Sequence, residues 1–135
     1  MDVIRRNTDY ALRLIAGLVE NYGGQPIAAR QLAKSQDVSA VLACKLLQRL
    51  SAAKIVKSSM GINGGFELAK APEKISLYQV IQAIQGDVCF NKCVVNAKSC
   101  PKSPKCAVSK KLASLQKYIE TSLKNTTLDK LLERN

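Results

Sequence analysis

A mainly α-helical fold carrying one small β-hairpin is predicted by three observations. Apolar residues recur every three or four positions in several separate segments, and two short strand-like runs flank a glycine-rich turn at 61–65. No run approaches the ~20 apolar residues that would span a bilayer, so the segments must fold against one another. The chain has 135 residues, room for one compact domain and an attached element.

The elements follow in order. In TDYALRLIAGLVE (8–20), Ala11, Leu12, Ile15, Leu18 and Val19 share one stripe behind a cap-competent Thr8, and the GG of NYGGQP stops the helix. Past Pro26, IAARQLAKSQ predicts a short helix with Ile27, Leu32 and Ala33 inward; Asp37 and Ser39 break it and can cap the next. SAVLACKLLQRLSAA (39–53) sets Leu42, Leu46, Leu47, Leu50 and Ala53 on one face. IVKSS (55–59) and GFELA (65–69) read as two strands joined around Gly61, Asn63, Gly64 and Gly65. SLYQVIQAIQG (76–86) turns Leu77, Val80, Ile81 and Ile84 inward and ends at Gly86. Beyond a cysteine-bearing stretch, AVSKKLASLQKYIETSLKN (107–125) aligns Val108, Leu112, Leu115, Ile119 and Leu123, and the tail 126–135 predicts a short helix.

Two short helices separated by a brief turn and followed by a hairpin make a winged helix-turn-helix. The expected organisation is a DNA-binding domain over 1–86, a cysteine-rich loop over 87–107, and a long dimerisation helix with its tail over 108–135. The stripe from Val108 to Leu123 has no obvious partner in so small a chain. A second copy is the simplest one, so a homodimer is expected.

Composition narrows the chemistry. The opening MDVIRRNTDYALRL carries charges where a signal peptide needs an apolar core, so a cytoplasmic location without membrane insertion is expected. Five cysteines, an odd number, in a reducing compartment argue for metal binding or redox chemistry over a disulfide framework. There is no histidine, no nucleotide-binding glycine pattern opening a helix and no carboxylate pair placed for acid–base work. An enzyme is not expected. A net charge of +11 produces a field that draws phosphates.

In a helix-turn-helix the second helix presents its N-terminal half and outward face to the major groove. Here that surface holds Ser39, Ala40, Ala43, Lys45, Gln48 and Arg49, opposite the leucine stripe. Gln48 and Arg49 can hydrogen-bond base edges, whereas Lys45, and Lys54 and Lys57 beside the wing, suit phosphates. Asn63 and Gly64, in the wing turn, are also expected to contact DNA.

The stretch CFNKCVVNAKSCPKSPKC (89–106) gathers Cys89, Cys93, Cys100 and Cys106, separated by three, six and five residues. Structural zinc draws on close pairs, and only Cys89 with Cys93 meets that spacing. Wider intervals suit an iron–sulfur cluster, a larger object gripped from several directions. Pro101 and Pro104 stiffen the loop, and Lys92, Lys98, Lys102 and Lys105 lower the cost of holding thiolates. A zinc-bearing, constitutive DNA-binding module is the alternative on spacing alone. Cys44, on the second helix of the motif, reads as a half-buried packing residue.

TDYALRLI, the helix ending LLQRLSAAKIV, the wing MGINGGFELAK and IQAIQG followed by cysteines together resemble the IscR/NsrR family of winged-helix iron–sulfur transcription regulators. The resemblance spans nearly the whole chain. It implies a homodimer on a palindromic operator in double-stranded DNA, its affinity controlled by a two-iron or four-iron cluster that senses redox state, nitric oxide or iron status. It further implies Cys93, Cys100 and Cys106 as cluster ligands, with Asp9 of the partner subunit as the fourth and Arg13 hydrogen-bonded to it. Cys89, a softer donor, is the alternative fourth ligand. Met60 stands where the family commonly has an arginine, and Leu42 and Ala43 stand where an aromatic followed by leucine is usual.

Overall fold

A computed structural model describes residues 2–132. The first helix, α1 (Arg6–Glu20), begins two residues before the expected Thr8 because Arg5 takes the extended N-cap conformation. Gln85 fixes that start: its Oε1 accepts from the Arg5 N–H at 2.9 Å while its Nε2 donates to the Val3 carbonyl at 2.9 Å. Thr8 therefore lies inside the first turn, buried, instead of capping it. Leu14 joins the expected inward stripe, and Leu12 is only partly covered.

Two helices follow, α2 (Ala29–Ser35) and α3 (Ala40–Ala52). Ile27, expected in the first of them, instead pairs with Phe66 through two backbone hydrogen bonds of 2.8 and 2.9 Å. The turn between α2 and α3 uses Asp37 at φ +55°, which lets the Val38 N–H reach the Ala33 carbonyl at 2.9 Å. Ser39 caps α3, its Oγ accepting from the Leu42 N–H at 3.2 Å.

On α3 the buried set is Ala43, Leu46, Leu47 and Leu50. This corrects the expectation that Ala43 faces outward and that Leu42 and Ala53 face inward: positions 43, 46, 47 and 50 form one helical stripe, and 42 and 53 lie at its margins. The helix ends with Lys54 at φ +62° and the Ile55 N–H bonded to the Leu50 carbonyl at 3.0 Å.

Strands β1 (Val56–Ser59) and β2 (Gly65–Leu68) pair antiparallel with Val56 opposite Leu68 and Ser59 opposite Gly65. Then α4 (Leu77–Gln85) starts in a capping box between Ser76 and Gln79 and stops at Gly86, φ +82°. The cysteine stretch is more ordered than a plain loop, with a short helix α5 (Lys92–Val95) and 3-10 turns at Ala97–Ser99 and Ser103–Lys105. The last long helix, α6 (Ala107–Asn125), occupies the expected span.

The core joins α1, α2, α3, β1, β2 and α4 through Leu14, Ile15, Leu32, Leu46, Leu47, Leu50, Val56, Leu68 and Val80, all at most 4% exposed. The tail returns to it. Leu77 N–H bonds the Thr126 carbonyl and Leu128 N–H the Ile75 carbonyl, both at 2.9 Å, and the Leu128 side chain is fully buried against the first helix's side of the core. The chain there forms a 3-10 turn (Leu128–Leu132) in place of the expected tail helix over 126–135: Thr126 is extended, Thr127 bridges to Ser76, and 133–135 lie outside the described residues. Among the described residues no helix is long and apolar enough to cross a membrane.

Candidate nucleic-acid interface and cysteine loop

The exposed face of α3 carries Ala40, Lys45, Gln48 and Arg49, with Ser39 exposed at its start. Three of these side chains have local duties. The Ser39 hydroxyl is the helix cap. Gln48 Nε2 lies 3.7 Å from the half-buried Cys44 sulfur one turn back. Arg49 donates from Nη2 to the Ile84 carbonyl at 2.7 Å, which ties α3 to the end of α4 and leaves its other guanidinium N–H groups without a side-chain duty of this kind among the described residues. Sequence spacing put Arg49 on the right face but could not show what stands beside it.

The wing carries Lys57 opposite Glu67 in register, and their ion pair closes at 3.1 Å. Exposed as it is, such a pair contributes ~0.2–1 kcal/mol and leaves the ammonium able to meet a phosphate. The turn is pinned by the Gly64 N–H on the Gly61 carbonyl at 3.0 Å, and Asn63 is exposed at its tip. Met60 and Ile62 are fully exposed beside it. Gly65 is required by contact: a Cβ there would stand 2.4 Å from the Ile27 carbonyl.

The cysteine loop runs between Gly86 and Ala107 and is held by specific bonds. Asp87 Oδ1 accepts from the Tyr78 hydroxyl and from Gln82 Nε2, each at 3.2 Å. Burial, and then this bond to Asp87, push the Tyr78 phenol above its ordinary value. Lys124 of α6 sits over the Tyr78 ring at 4.6 Å. Buried Gln116 accepts from the Phe90 N–H at 3.2 Å, and the Ser103 and Ser109 hydroxyls meet at 3.4 Å. None of these anchors was visible in the sequence, because each pairs residues on different elements.

All five thiols are free; Cys93, Cys100 and Cys106 are half-buried and Cys89 is exposed, its Sγ donating to the Asn91 carbonyl at 3.1 Å. Among the described residues no three Cys, Asp or Glu side chains converge as a metal-binding group. The donors fit thiolate ligation of iron by their chemistry. Asp9 lies on α1 with its carboxylate 2.9 Å from Arg13, both side chains about half exposed. Arg13 also stands 5.3 Å from the centre of the Tyr10 ring.

A helix-turn-helix with an attached hairpin wing, in a chain of net charge +11, defines the winged-helix class of DNA-binding fold. A family model described as Rrf2, iron-dependent transcriptional regulator, matches residues 4–134, and the chain belongs to that family. It is 28% identical to the transcriptional regulator NsrR of Bacillus licheniformis over 95% of this chain and 91% of that one. Among solved structures it is similar to IscR of T. potens, with TM-score 0.74 and 25% identity over 95% of this chain and 85% of that one. The fold also matches CymR, the global cysteine regulator of B. subtilis, with TM-score 0.84 and 22% identity over 97% and 96% of the two chains.

Proposed function

We propose that the protein is a homodimeric repressor or activator that binds a palindromic operator through α3, and that cluster ligation by its cysteine loop controls the binding. The observation that carries this reading is the Arg49 bond to the Ile84 carbonyl, two residues before Gly86, where the loop begins. Any force on the upstream end of the loop is thereby transmitted to the recognition helix. The family description as iron-dependent regulators supports the choice of metal.

Cys93, Cys100 and Cys106 would hold the cluster, with Asp9 of a second copy completing the set and Cys89 as the competing donor. When bound, the cluster would supply a thiolate-held iron core open to oxidants, nitric oxide and iron scarcity. Tying the three thiolates together draws in the loop between Gly86 and Ala107. With the thiols separate, the Asp87, Gln116 and Ser103 contacts and the buried Val88 side chain hold that loop. Arg13, already paired with Asp9, orients the carboxylate. The uncovered face of α6, where Val108 is 65% and Leu115 46% exposed, is the surface a second copy would cover.

The test compares protein loaded anaerobically with protein stripped of metal, on one duplex selected from a random pool, at fixed salt. A change in affinity of ~5–150-fold is expected. Identical isotherms would refute control by the loop, and stoichiometric zinc without acid-labile sulfide would assign a constitutive zinc module instead. Asp9→Asn and Cys89→Ser, compared by the visible absorption of the loaded protein, identify the fourth ligand by which one bleaches.

A further inference from the structure

A cleft of about 470 Å³ lies where the start of α1, the end of α3 and the end of α4 meet. Arg5, Arg6 and Arg49 line it, and no carboxylate does. Three arginines along one cleft with no acid among its lining residues form a site of strongly positive potential. The first turn of α1 adds to it. Arg5 gives its helix no side-chain cap, and the first intrahelical bond is the Asp9 N–H on the Arg5 carbonyl at 3.0 Å, so the N–H groups of Arg6, Asn7 and Thr8 precede the ladder.

A second, independent observation points to an occupant. Thr8 also lines the cleft, its side chain is 0% exposed, and its Oγ1 is the buried side-chain oxygen among the described residues that has no hydrogen-bond partner. Buried hydroxyls are normally satisfied, and one that is not marks a place for a missing partner. The requirements are those of a tetrahedral oxyanion: several acceptor oxygens, negative charge and room for helix N–H donors.

We infer that this cleft receives one phosphate of the DNA backbone, flanking the groove that α3 enters. The assignment to DNA over a free anion rests on Arg49, which belongs at once to the exposed face of α3 and to the cleft wall. A strand lying along α3 passes the cleft mouth. The inference presupposes DNA binding through α3 and adds to it a clamp that neither the helix-turn-helix nor the wing supplies. Because Arg49 also holds the Ile84 carbonyl, the clamped phosphate touches the element from which the cysteine loop departs.

The experiment uses the full chain and a duplex selected from a random-sequence pool, alongside an unrelated duplex. The double variant Arg5→Gln/Arg6→Gln should bind both duplexes more weakly by the same factor and lower the slope of log affinity against log salt by about 1–2. Thr8→Val should lower affinity several-fold while leaving the melting temperature unchanged or higher, since the hydroxyl it removes has no partner in the free protein. Neutral methylphosphonate placed singly along the strand should weaken wild type at one position per half-site and leave the double variant indifferent there.

An unchanged salt slope, with Gln48→Ala still weakening the selected duplex, would remove the clamp and leave the α3 reading standing. Loss of melting temperature in Thr8→Val would make the hydroxyl structural and overturn the inference. If inorganic phosphate raises the melting temperature of wild type but not of the double variant, and duplex affinity is equal in both, the cleft is a small-anion site and the DNA assignment fails. Wild type that binds no duplex at all overturns both readings.

Discussion

Single residues at helix ends decide much of the geometry here. Lys54 closes α3 at φ +62°, a conformation that costs a residue with a Cβ ~1–2 kcal/mol relative to glycine, while its charge sits beside the wing. Lys54→Gly should therefore raise stability by about 0.5–1 kcal/mol in denaturant titrations and, in the same protein, weaken binding to any duplex and flatten its salt dependence. A fall in stability would show that the lysine stem packs against something the strain does not outweigh. Arg49 makes a different point: its position on an exposed face suggests base contact, and a 2.7 Å bond to a carbonyl 35 residues away also ties it to the end of α4.

At the scale of elements, α4 and the wing carry the connections that matter. The capping box at Ser76 sits at the start of α4, whose other end bears both Arg49's acceptor and Gln85, the clamp on α1. Ser76→Ala should cost ~1 kcal/mol in a melting experiment. The wing is fixed to the start of the helix-turn-helix through the Ile27 and Phe66 pair, and Gly65 makes that approach possible. Gly65→Ala should destabilise the fold by ~1–3 kcal/mol, and hydrogen exchange should then show the Ile27 and Phe66 amides exposed first. Unchanged protection of those amides would mean that the wing holds by its own two strands.

For the molecule as a whole, α6 is the outlier. It buries only Ser109 and Gln116, both polar and both used to hold the cysteine loop, while Val108, Leu115 and Tyr118 face outward. Leu115→Glu should turn a dimer into a monomer by light scattering and leave the helical signal of the chain intact; a wild type that already scatters as a monomer would remove the dimer. Leu128 behaves oppositely. It completes the core from beyond α6, so Leu128→Ala should cost ~2–5 kcal/mol without altering the dimer contact.

What the amino-acid order determined by itself was whatever depends on near neighbours. Helical spacing located α1, α3, α4 and α6 to within a few residues, the glycines located the wing turn, and thiol spacing marked the loop, because each signal lies within one or two turns of chain. Tertiary structure alone decided which way the margins of each stripe faced, so that Ala43 went in and Leu42 stayed at the edge. It also moved Ile27 out of a helix and onto β2, buried Thr8 without a partner, and returned Leu128 to the core. Those outcomes depend on atoms far apart in sequence that compete for the same space, and no local pattern encodes that competition.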